Sequence, residues 1–133
     1  MLNLNYRAVV AAAVAAILIG ALWYSPLLFG NEYMVVRGAN PSAAAGQSIS
    51  SAEILSDVAK NAVVAFVLSR VVVRLGVVGW KDAVHLALWV RGGFQAMLLM
   101  GSVLHEKMPW TIYAFHAGDA LVKTVVTSVI LAV

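Results

Sequence analysis

From Ala8 to Leu22 the chain carries no charged side chain, and the apolar run continues through Trp23 and Tyr24 to Leu28. The stretch outlasts the apolar region of a secretory signal peptide, which usually ends after 7–15 residues. It matches a membrane crossing, which takes about 20 predominantly apolar residues of helix. The composition of the whole chain agrees. Of its 133 residues 62% are hydrophobic and 11% charged, whereas a soluble domain averages roughly 25% charged residues. A soluble monomer of this size would present apolar patches far beyond the few hundred Å² normally tolerated. Soluble globular, disordered and disulfide-scaffold classes are therefore excluded, the last because the chain has no cysteine. The expectation is an all-α polytopic membrane protein.

Four crossings fit the length, at about 6–29, 51–76, 80–105 and 109–133, in a single domain over 1–133 with an extramembrane loop at 30–50. Pro26 is expected to bend or end the first helix, because proline has no N–H to donate. Within the loop, Arg37-Gly38-Ala39-Asn40-Pro41-Ser42 carries turn signals, and Asn31 to Val36 can form a short interfacial helix. Ser50 followed by Glu53 makes a capping-box pattern at the start of the second segment. Arg70 and Arg74 close that segment and can snorkel to headgroups. Pro109 suits the first turn of the fourth segment, whose 25 residues give roughly 37 Å of helix. Trp23, Tyr24, Trp80 and Trp110 are expected as anchors at the membrane–water interface, where such rings are enriched.

Net charge is +3, but the basic residues are scattered, so nucleic acid is not an expected partner. Their distribution speaks to topology. With four crossings, Arg7, Arg70, Arg74 and Lys81 share one side, and Arg37 and Lys107 the other. The positive-inside rule then places both termini in the cytoplasm of a bacterial inner membrane.

Helix association in lipid depends on close packing and polar contacts. Ala8, Ala12, Ala16 and Gly20 recur every four residues as a small-residue stripe, for contact within the chain or as an oligomer seam. Ala114 with Gly118, and Gly92 with Ala96, are weaker versions. Ionisable groups inside spans are costly and usually face protein. His116, Asp119 and Lys123 share one face of the fourth segment, extended by Thr127. Arg91 lies mid-way along the third, with Gln95 one turn on. Asp119 is the expected anion for Arg91, with Asp57 as rival beside Lys60, giving a network of Arg91, Asp119, Lys123, His116 and Gln95. Helix registry is favoured over a proton or ion relay, because no span shows a substrate-sized polar cavity or the mid-helix break common at transporter sites.

His85 and His116 are candidate ligands for haem or a chlorophyll magnesium. His105, followed by Glu106, reads as an exposed pair at a helix end. No paired metal-ligand spacing is present, and no cofactor is predicted. No nucleophile–base pair, P-loop or dinucleotide fingerprint occurs, so an enzyme is not expected.

The run Gly20-Ala21-Leu22-Trp23-Tyr24-Ser25-Pro26-Leu27-Leu28-Phe29-Gly30, followed by an aromatic and Met34, resembles the start of the "domain of unknown function 1761" family. The resemblance covers the whole chain. It implies a small, standalone bacterial membrane protein with about four spans, and no assigned activity. Where that family tends to show an acid or Asn, then Ala-Gly-aromatic, this chain has His116-Ala117-Gly118-Asp119. His116 thus takes the acid position and Asp119 the aromatic one. The small multidrug exporters are similar in size but carry a key Glu in the first helix, which is missing between Ala8 and Leu22. The expected role is structural or accessory and non-catalytic, as a homo-oligomer or as a subunit alongside other membrane proteins in the bilayer. The alternatives are a small ion-coupled transporter using Asp119, Arg91 and His116, and a pigment- or haem-binding subunit using His85 or His116.

Overall fold

The computed structural model describes residues 3–36, 38 and 50–133. Among these residues five helices follow in order: α1 (Tyr6–Trp23), α2 (Gly30–Val36), α3 (Ser51–Leu75), α4 (Trp80–His105) and α5 (Trp110–Ala132). Their ends have local causes. The Asn5 side chain accepts from the Ala8 N–H at 3.3 Å and caps α1. At α3 the capping box is complete: the Glu53 N–H donates to Ser50 Oγ at 3.2 Å, and the Ser50 N–H donates to Glu53 Oε2 at 3.0 Å. Gly76 ends α3 with φ 62°, a left-handed conformation that glycine adopts without strain. Pro109 stands at the N-cap of α5.

One boundary differs from the sequence expectation. The first helix stops at Trp23 rather than near 29. Pro26 lies within the turn that follows, and Ser25 Oγ donates to the Leu22 carbonyl at 2.6 Å, closing the last helical turn. The short helix expected at Asn31 to Val36 within the 30–50 loop is present as α2. Of the turn expected at 37–42, Gly38 has φ 72°, and the other five residues lie outside the described ones.

Inside α4 the regular ladder widens over Arg91–Gln95 into one π-turn, in which the Ala96 N–H donates to the Arg91 carbonyl. Gly92 and Gly93, weak helix formers, occupy it. Single π-turns are uncommon and concentrate at functional positions.

The central element is α5, which packs against α1, α2, α3 and α4, while α1 also packs along α3. α1 and α5 run antiparallel, since Gly20 faces Lys123 and Trp23 lies against Gly118. The Gly79 N–H donates to the Ala132 carbonyl at 3.3 Å, so the α3–α4 turn meets the end of α5. The start of α1, the α3–α4 turn and the end of α5 thus share one end of the bundle.

Buried apolar residues are mostly small: Ala12, Ala16, Ala65, Ala83 and Ala87. The buried positions of α5 are polar: Asp119, Thr124, Thr127 and Ser128. Large apolar side chains point outward, among them Leu18, Phe66, Val67, Trp89, Phe94 and Leu98. This distribution suits lipid, where close packing of small residues holds helices together. Three helices, α1, α4 and α5, are long and apolar enough to cross a membrane. The expected fourth, α3, is long enough but carries Glu53, Asp57, Lys60, Arg70 and Arg74.

Candidate functional site

The Trp-Tyr-Ser-Pro stretch builds one wall of the site by reversing the chain. The Phe29 N–H donates to the Trp23 carbonyl at 3.1 Å, and the Gly30 N–H to the Ser25 carbonyl at 2.9 Å. A Cβ on Gly30 would overlap the Tyr24 carbonyl oxygen and the Ser25 backbone, so only glycine permits this approach. The turn lays α2 against α5 through rings. Trp23 and Phe29 are 4.8 Å apart between centroids, Phe29 and Phe115 5.6 Å, and Tyr33 and Phe115 5.9 Å. These separations are those of favourable aromatic pairs.

Behind this turn lies a cavity of about 700 Å³ between α1, α2, the first half of α3 and α5. Its inner wall is the pair Asp119–Lys123, with Lys123 Nζ 2.9 Å from Asp119 Oδ2. Asp119 is 7% exposed. Lys123 extends over Gly20, where a Cβ would come within 2.5 Å of its Nζ. The glycine of the α1 stripe therefore makes room for an ammonium group. Asp119 Oδ1 is buried and accepts no hydrogen bond among the described residues. Next to the pair, His116 stands between two phenols. Its Nδ1 lies 2.9 Å from the Tyr24 hydroxyl and its Nε2 lies 3.4 Å from the Tyr33 hydroxyl. Glu53, Asp57 and Lys60 of α3 complete the lining, with Lys60 Nζ 2.7 Å from Asp57 Oδ1. Carboxylate, ammonium, imidazole and phenol groups thus line one space, a set able to hold and exchange protons or bind a small polar solute.

His116, Asp119 and Lys123, which share a face of one helix, also share this cavity. Arg91 is placed elsewhere. It is 7% exposed, and among the described residues no carboxylate lies within salt-bridge distance of it. It lines a separate pocket of about 250 Å³ between α4 and α5. Gln95 lies in the same π-turn, and its Oε1 is buried without a donor among the described residues. His85 is exposed on α4, and His105 is exposed at its end. Ala12, Ala16 and Gly20 are buried within the chain, and Ala8 is half-buried. The α1 stripe therefore faces inward, and Gly118 of the second small pair receives the Trp23 ring. Trp80 and Trp110 are exposed at helix starts. Trp23 and Tyr24 are half-buried and turn into the site.

Tyr33 and the α3 triplet Glu53, Asp57 and Lys60 are cavity residues that periodicity alone does not assign. The polar first turns of α3 are the signal for the triplet. For Tyr33 the signal is its position nine residues after Tyr24, across a turn marked by Pro26 and Gly30. Among the described residues no group of three metal-ligating side chains is present. The family model described as "Protein of unknown function (DUF1761)" matches residues 7–132. Comparison with curated proteins and with solved structures returned no match.

Proposed function

Because the chain belongs to the DUF1761 family, to which no activity is attached, its role must be argued from its own residues, and we propose a small, non-catalytic, proton-coupled carrier. It crosses a bacterial inner membrane four times, α3 being the fourth crossing, with both termini in the cytoplasm. The observation that carries this reading is the cavity ending on the buried Asp119–Lys123 pair, with one carboxylate oxygen that accepts no hydrogen bond among the described residues. That cavity removes the ground on which helix registry was favoured. The pair also lies within α5, at spacing i, i+4, so its ion pair does not itself join two helices. Asp119 instead alternates between Lys123 and a proton or a donor brought by the solute, and His116 with Tyr24 and Tyr33 connects the pair to the α1–α2 turn.

The α3 assignment rests on packing. Its buried side chains Asn61, Ala65, Leu68 and Val72 form one stripe, and it lies along α1 and α5. Its polar start faces the cavity, and Arg70 and Arg74 are exposed near its other end. The guanidinium of Arg70 also covers the Phe66 ring at 5.4 Å, so its stem can stay apolar while its charge reaches headgroups.

Reconstituted vesicles enclosing a pH-sensitive dye test the reading. Under a potassium diffusion potential the protein is expected to pass protons faster than protein-free vesicles, and Asp119→Asn to return the rate to that background. A wild-type rate equal to the background would remove the proposal.

A second reading, an accessory subunit or homo-oligomer, is favoured by one observation. α4 packs chiefly on α5 and exposes Trp89, Phe94 and Leu98 on its outer side. The native mass in mild detergent distinguishes a lone chain from an assembly.

A further inference from the structure

The charges in the middle of α4 and α5 do not balance locally. Arg91, Asp119 and Lys123 are two cations and one anion, and the anion is bonded to Lys123. The field of Asp119 reaches Arg91, but no hydrogen bond or ion pair joins them among the described residues. A guanidinium stays protonated at any physiological pH, and an intramembrane charge without a partner is costly. Among the described residues, therefore, no anion is bonded directly to Arg91.

The space beside it says which anion fits. Apart from Arg91, the pocket of about 250 Å³ is lined by Leu88, Gly92, Ala96, Leu99, Ala117 and Leu121, all without polar side chains. A Cβ on Gly92 would meet nothing within 4 Å. A small hydrated anion would lose its water there and gain one charged partner against hydrocarbon walls. A phospholipid headgroup would have to leave the interface, since Arg91 is eleven residues into α4, about 16 Å from its start. A carboxylate on a hydrocarbon chain meets both demands. Its head accepts two parallel N–H bonds from the guanidinium, and its tail covers the Leu and Ala side chains and continues into lipid.

We propose that the pocket at the π-turn binds the carboxylate head of a fatty acid on Arg91. This site is distinct from the cavity at Asp119 and does not depend on the carrier reading.

Equilibrium binding of octanoate to the full chain in non-ionic detergent tests it, with acetate and octanol as the two half-ligands. Saturable octanoate binding is expected, with neither acetate nor octanol binding comparably. Arg91→Met removes the charge without shortening the apolar stem and is expected to weaken octanoate by about tenfold or more, the worth of a charge-assisted bond. Ala117→Phe fills the pocket from α5, keeps Arg91, and is expected to abolish binding while the elution volume stays unchanged. Octanoate binding that is absent, that is matched by acetate or octanol, or that survives both substitutions overturns the proposal.

Discussion

Asp119 and Lys123 hold each other in a setting where neither tolerates being alone. Asp119→Asn leaves a mostly buried ammonium without its anion, a change that costs about 3 kcal/mol in comparable buried pairs. Lys123→Met strands the carboxylate in the same way. Removing both is expected to cost less than either single change, because no uncompensated charge remains. Unfolding in mixed detergent micelles measures the four corners of this cycle, and additive losses would mean that the 2.9 Å contact contributes no coupling. At this scale the sequence was readable only along single helices. The i, i+3 and i+7 spacing of His116, Asp119 and Lys123 placed them together because it is a property of one helix. Arg91 was expected opposite Asp119 from matching depth alone, and depth says nothing about which way a side chain turns. Tyr24, next to an apolar span, was expected as an interface anchor, and the turn at Pro26 instead brings its hydroxyl to His116.

Each helix of the bundle is bounded by a different device, and the devices differ in how visible they are before folding. The Ser50–Glu53 box, the Gly76 cap and the Pro109 start act within a few residues, so they can be read from residue order. The α1–α2 turn depends on Gly30 passing the Tyr24 carbonyl, a contact created only when α2 folds back. The motif around Trp23 to Gly30 is recognisable as a pattern, but its reason is three-dimensional. Gly30→Ala is expected to cost about 2 kcal/mol, the usual penalty for forcing a group into filled space. It should also separate Phe29 from Phe115. Unfolding in mixed micelles reads the first effect, and loss of ring-current shifts at Phe115 reads the second. Stability equal to wild type would show that the turn relaxes without strain. The π-turn was likewise hidden. Gly92-Gly93 marks a weak place in a helix, but widening it to take Arg91 inward is decided by the packing of α4 on α5.

For the molecule as a whole, the question left by composition is whether α3 crosses. Having no cysteine, the chain can report this with single introduced thiols. Asn31→Cys lies on α2 and Lys81→Cys just past the α3–α4 turn, both at exposed positions. With α3 as a crossing and both termini inside, a membrane-impermeant maleimide is expected to label the first in intact cells and the second only after permeabilisation. Equal labelling of the two in intact cells would reduce the bundle to three crossings. Composition established that the chain suits lipid, and helix lengths followed from it. Length and spacing led to the expectation of four crossings, and the charges of α3 set it apart from the three helices apolar enough to cross, because a helix lining a cavity with ionisable groups resembles a surface helix in its residue content. The bond from Gly79 to the Ala132 carbonyl has its own consequence at this scale. The start of α1, the end of α5 and the α3–α4 turn lie together, so the order of helices along the chain is separable from their order in space. A circular permutant that joins Val133 to the N-terminus through a short polar linker and opens between Val77 and Val78 would begin with α4 and end with α3. Every helix would keep its present direction in the bundle, and the same neighbours would meet.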